Sequence, residues 1–293
     1  MAAMMEISAG PLAIGVAPEI GGSLAFFRMN GIDAMRPLSP ADAGAKNVLG
    51  AMFPMLPYAN RIAGNAFGFG GRTWRFEPNN SPDRINVHGS GWKSAWNADR
   101  DDDSIRLSLD HIAPDEPYSY RAVQHFALDA EKLTVCLQLT NAGPVAMPFG
   151  FGLHPWFERS PATELAFGAS RFLMEGPGHI PTDWISLPPE LDFADGGPLP
   201  DTWRNNDYGD WYGEAEIRFP ERGLGLTIMA DPVFDHLMLY ADPESPHFCL
   251  EPQSHAPCAF NRMSGRDGEA FGAHVLAPGE SLEGKIRFRP FSI

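Results

Sequence analysis

Polar and apolar residues alternate in short bursts along this chain. Leu133, Val135, Leu137 and Leu139 take every second position of the run 132–140, so all four project from one face of an extended backbone. Residues 104–109 alternate in the same way. Shorter runs recur at 72–76, 122–128, 214–219, 224–229, 236–240, 247–251 and 284–288. Clusters of Gly, Pro, Asn and Asp separate them, as at 77–83 and 196–200, and such residues favour turns. Apolar positions at helical spacing are scarce. The pattern predicts an all-β fold, a large antiparallel β-sandwich with few short helices. The Pro-rich stretch 188–200 reads as a long loop within one domain, because strands of the same kind continue on both sides. The whole chain, 1–293, is therefore expected to form a single domain whose concave sheet face and rim loops make a ligand cleft.

Composition narrows the function classes. The formal charge is −15, which argues against nucleic acid and anionic membrane surfaces, since both require a cationic face. No apolar run reaches the length of a membrane span. The N-terminal residues lack the basic and apolar regions of a secretory signal. The cysteines are Cys136, Cys249 and Cys258. Their odd number and spacing match no metal motif and favour a reducing compartment, so a cytoplasmic location is expected.

Four segments carry candidate chemistry. In Phe149–Phe157 a lone histidine, His154, interrupts an apolar run. A buried imidazole needs a partner, and it titrates near neutral pH. Alone, His154 reads as a structural core histidine. Asn60 and Arg61 follow an apolar stretch. The arginine offers a planar fork for oxygens or a surface ion pair. His88-Gly89 precedes Trp92 and Trp96. The glycines permit close backbone approach, and a His donor beside a flat ring suits a sugar. A glycine-rich hairpin loop is the plainer alternative. Finally, Glu251 ends an apolar strand just before Pro252, which is expected to stop the ladder. A carboxylate on apolar surface has a raised pKa and is a better base; a rim salt bridge is the commoner fate.

Together these segments resemble the aldose 1-epimerase, or galactose mutarotase, family. The matching stretches are Asn60-Arg61-Ile62 with Gly64, His88-Gly89 with Trp96, Gly152-Leu153-His154-Pro155-Trp156-Phe157, and Glu251-Pro252-Gln253 with Asn261. They occur in the family's order over nearly the whole chain. The resemblance implies the family's supersandwich fold, with Glu251 as general base and His154 as general acid. It also implies a substrate site of His88, Arg61, Asn60 and Trp156. The family's Asp falls on Asn205 when the segment is aligned on Trp211, with Asp207 and Asp210 as nearby alternatives. That departure leaves the preferred sugar open.

Such an enzyme opens an aldose ring and recloses it on the other carbonyl face. It needs an acid, a base and hydroxyl-binding groups, with no metal and no cofactor. The acid and base are expected on opposite sides of the bond that breaks, within about 2.6–3.2 Å of their protons. The expected partner is a small-molecule sugar, and the protein would act as a monomer or homodimer. Three rivals remain at this level: a non-catalytic carbohydrate-binding protein, a metal-dependent β-sandwich enzyme, and a hexose-6-phosphate 1-epimerase. The second lacks His-x-His and His-x-Glu spacings. The third would need Arg72, Arg75 and Arg84 to converge on a phosphate.

Overall fold

The alternating runs become antiparallel ladders in the computed structural model, which describes residues 4–39, 50–80, 84–113, 115–263 and 271–293. The run 132–140 lies in the strand Leu133–Asn141, where buried and half-buried residues alternate without a break. Its neighbours Tyr120–Leu128 and Ser281–Ser292 pair with it in register. These belong to a nine-stranded sheet that faces an eleven-stranded one. Side chains from both sheets form one continuous core, from Ile14 and Phe27 to Leu137 and Phe288. Helical structure among the described residues is confined to 3-10 turns of three or four residues. None of it is long and apolar enough to cross a membrane.

Two expectations need correction. The stretch 188–200 is not a plain loop. It holds a 3-10 turn, Pro189–Leu191, and the strand Phe193–Pro198, which forms the edge of the nine-stranded sheet. An edge strand pairs on one side alone, so its proline and its two glycines cost it few hydrogen bonds. Pro252 does not end its strand either. His247–Gln253 continues through it, with Leu237 opposite Pro252 and His236 opposite Gln253. On its other side the ladder does lapse. The strand Gly152–Glu158 pairs through Gly152–Gln253 and again from Trp156–Cys249, but not between. Pro155 and Pro252, which lack N–H donors, sit in that gap.

The order of the eleven-stranded sheet positions the site. Met52–Met55, Gly152–Glu158, His247–Gln253, His236–Ala241 and Arg204–Gly209 lie side by side. Phe53 is opposite His154, Glu251 opposite Met238, and Met238 opposite Asp207. The pairs flanking the gap set His154 across from Glu251. Directly opposed residues share a sheet face. Phe53, His154, Glu251, Met238 and Asp207 thus form one transverse row. Two residues along, Trp156, Cys249, Tyr240 and Asn205 form a second row on that same face.

Candidate active site

The second functional pair comes from loops rather than strands. Asn60 and His88 both adopt left-handed backbone, with φ of 54° and 58°, a conformation rarely found outside glycine. Reciprocal bonds hold them there. The His88 N–H donates to the Asn60 carbonyl at 2.7 Å, and the Asn60 N–H donates to His88 Nδ1 at 3.0 Å. Because Nδ1 accepts, the neutral ring carries its proton on Nε2, as a donor. Asn79 ties down the same loop by donating to the carbonyls of Val87 and Gly89.

Strand row and loop pair meet in a cleft of about 260 Å³, lined by Asn60, Arg61, His88, His154, Trp156 and Asn205 with Glu251. Asp207 lies in an adjoining recess beside Asn60, Arg61 and Asn205. The sequence-derived candidates therefore converge. His154 Nε2 is 3.4 Å from Glu251 Oε1, and both residues are buried. The two stand side by side on neighbouring strands. The ring of His154 is sandwiched between Phe53, with centroids 4.5 Å apart, and Trp156, 5.1 Å away and nearly parallel. His88 meets it edge-on at 5.1 Å.

Burial dominates the electrostatics. It pushes Glu251 well above the usual carboxyl range, helped by the charge of Asp207 and opposed by Arg61. Burial also holds His154 down at about 3. His88 is lowered first by burial, then by His154 and Arg61. Several buried polar atoms here lack any protein partner: Glu251 Oε2, His154 Nδ1, Trp156 Nε1, Asp207 Oδ1 and the Gln253 amide. Each such group costs a fold about 1–3 kcal/mol. Those of Glu251, His154 and Trp156 belong to residues that line the cleft, where a ligand could satisfy them.

His154, Cys249 and Glu251 present ligand atoms all within 4.8 Å of one another. Without a metal, the sulfur of this set is a protonated thiol. A metal takes thiolate, whereas burial and Glu251 raise the Cys249 thiol. All the cysteines are free, Cys249 and Cys258 as buried core residues.

Some expectations fail locally. Trp92 offers no open face. It is buried against Phe53 at 5.3 Å, and its Nε1 donates to the carbonyls of Val87 and Gly89. Trp156, Trp203 and Tyr240 line the cleft instead. Arg72, Arg75 and Arg84 do not line it; Arg61 does. The family's Asp position also resolves into two places. Asn205 faces the cleft, while Asp207 is buried and accepts from His236 Nδ1 at 2.9 Å. Sequence reasoning missed Met238 and Tyr240, although their same-face spacing in the run 236–240 was readable. Phe53, His179 and Trp203 carried no local signal.

Comparison with known proteins shows the family and the fold. The sequence model of the family described as aldose 1-epimerase matches residues 16–289. An uncharacterised Escherichia coli K12 protein, YphB, is 35% identical over 297 residues, covering 97% of each chain. A crystal structure from the same organism, provisionally assigned as an aldose 1-epimerase, superposes with a TM-score of 0.90 at 33% identity, covering 99% of each chain. A GalM/aldose epimerase homologue from C. elegans shares the fold, with a TM-score of 0.83 at 18% identity over the full length of both chains.

Proposed function

Because the chain belongs to the aldose 1-epimerase family, we propose that it interconverts the α and β anomers of a free aldose by acid–base ring opening and closure. The observation that carries this reading is the Glu251–His154 contact, 3.4 Å from Oε1 to Nε2. The reaction moves one proton off O1 and one onto O5. Both oxygens are bonded to C1, so the groups that serve them must be neighbours. A binding protein without catalysis has no use for a buried carboxyl and imidazole held together in this way.

Glu251 removes the proton from the anomeric hydroxyl as His154 protonates the ring oxygen. The C1–O5 bond breaks and leaves the aldehyde. Rotation about C1–C2 and reversal of both transfers complete the reaction. The pair carries one proton throughout. Burial favours that proton on Glu251 in the resting site. Arg61 and substrate hydroxyls stabilise the carboxylate, and the short contact lets the proton sit on Nε2 when O5 needs it. Phe53 and Trp156 hold the imidazole plane and exclude water. His88 donates from Nε2 to a sugar hydroxyl. A neutral aldose fits better than its 6-phosphate, since Arg72, Arg75 and Arg84 stay outside the cleft.

The test is polarimetry on freshly dissolved α-anomers of several aldoses and of hexose 6-phosphates. Acceleration for a free sugar is the expected result. No acceleration across the panel would overturn the proposal, and acceleration confined to phosphorylated sugars would reassign the substrate.

A further inference from the structure

Three side chains on one wall of the cleft share a single anchor. Glu175 ends the strand Arg171–Glu175. Its Oε1 accepts from His179 Nδ1 at 2.6 Å and from Asn205 Nδ2 at 2.5 Å. Its Oε2 accepts from Trp203 Nε1 at 2.9 Å. His179, Trp203 and Asn205 all line the cleft. An ionised carboxylate only accepts, whereas an amide has one donor end and one acceptor end. Contact with Glu175 therefore commits the NH2 end of Asn205 to the wall and leaves its carbonyl oxygen for a ligand.

Two features give this commitment meaning. Asn205 stands two strands from Glu251 in the sheet order, roughly 10 Å across the sheet. A sugar whose anomeric centre sits at Glu251 and His154 extends its far hydroxyls toward that wall. Asp207, the acidic residue of this strand, has one oxygen taken by His236 and the other buried in the adjoining recess, and it does not line the cleft itself. Asn205 is the residue of the strand that lines the cleft.

We propose that Glu175 is a positioning residue for substrate recognition, fixing Asn205 as an acceptor-only reader of one sugar hydroxyl. The amide then does the work of a carboxylate oxygen without a second negative charge beside Glu175. The inference rests on the proposed anomerisation and sharpens its substrate class. The carbon facing Asn205 bears a neutral hydroxyl. An anionic substituent there, phosphate or carboxylate, meets a carbonyl oxygen backed by Glu175 and is rejected.

The test compares the unaltered protein with N205D, E175Q, the double variant N205D/E175Q and N205A. Each is titrated calorimetrically with D-glucose and D-galactose, and its KM and kcat for mutarotation are measured. N205D sets two carboxylates against each other, and N205A deletes the acceptor. Each is expected to weaken binding about 3- to 10-fold, the range for one neutral hydrogen bond, with the change in KM rather than kcat. In the double variant the new amide at 175 donates to the new carboxylate at 205, so affinity returns to within about 3-fold of the unaltered protein. Thermal melting followed by circular dichroism confirms that each variant is folded. A double variant no tighter than N205D, or an N205D that binds like the unaltered protein, overturns the inference while the proposed function stands. An unaltered protein that neither binds nor anomerises an aldose overturns both.

Discussion

His154 and Glu251 stand abreast on neighbouring strands, Nε2 3.4 Å from Oε1, at the point where the ladder between those strands lapses. Each proline of the gap, Pro155 and Pro252, is the chain neighbour of one member of the pair. The backbone that cannot pair and the side chains that carry the chemistry are thus adjacent, and the flanking pairs Gly152–Gln253 and Trp156–Cys249 keep the register fixed.

Removing either member should abolish most of the rate and little of the binding. Glu251→Gln and His154→Asn keep much of the local shape but remove the base and the acid. Each is expected to lower kcat by roughly two to four orders of magnitude, the usual contribution of a positioned acid or base, with KM changed far less. Polarimetry on a fresh α-aldose reads both constants. Near-normal mutarotation by either variant would remove that residue from the mechanism.

The acid–base reading also makes a statement about metals. EDTA should leave the rate unchanged, since no step requires an ion. Added Zn²⁺ should inhibit, because His154, Cys249 and Glu251 present ligand atoms within 4.8 Å of one another. Cys249→Ala should relieve that inhibition while leaving the zinc-free rate within a few-fold. Loss of activity in EDTA, restored by metal, would refute the metal-free mechanism.

How much of this was legible in the sequence depended on which physical signal each residue left. Leu133 to Leu139 declared a strand because one face of it is buried and the other is partly open. The strand Gly152–Glu158 left no such signal. Its first four residues are all buried, so it has no alternation, and it contains a proline. Phe193–Pro198 was hidden for the opposite reason, as an exposed edge strand rich in Gly and Pro. Glu251, His154, His88 and Arg61 were readable because their segments resemble a family in order. Phe53 and Glu175 were not. Phe53 matters through its cross-strand register with His154. Glu175 matters through three bonds to residues up to 30 positions away. Pairings of that kind are fixed by the fold and leave no local trace.

Gly89→Ala should be a stability variant with a functional signature. Gly89 has φ of 63°, and a Cβ there would lie 2.1 Å from the Leu56 carbonyl oxygen and 2.4 Å from Pro57 Cδ. Those are backbone and ring atoms that cannot swing aside. The left-handed conformation alone costs alanine about 1 kcal/mol, and the clash adds to it. We expect a loss of at least about 2 kcal/mol in urea unfolding. KM should also rise, because His88 is the preceding residue. Unchanged stability would mean that the loop shifts freely, which the Asn79 bonds to Val87 and Gly89 argue against.

The pH profile tests the proton count on the pair. Anomerisation requires one proton shared by Glu251 and His154, so the apparent pKa values belong to the pair. Below about pH 3 His154 takes up a second proton, and the base is lost. As pH rises through the elevated pKa of Glu251 the pair loses its last proton, and the acid is lost. Asp207 is one cause of that elevation, and Arg61 opposes it. The signs follow directly. Asp207→Asn removes a neighbouring negative charge, lowers the Glu251 pKa and should move the alkaline limb of kcat/KM to lower pH. Arg61→Gln removes a positive charge, raises that pKa and should move the limb to higher pH, in addition to raising KM. Measuring kcat/KM against pH for the three proteins distinguishes electrostatics from general damage, because damage lowers the curve without displacing it in opposite directions. Shifts of the same sign in both variants, or none in either, would show that the alkaline limb does not report Glu251.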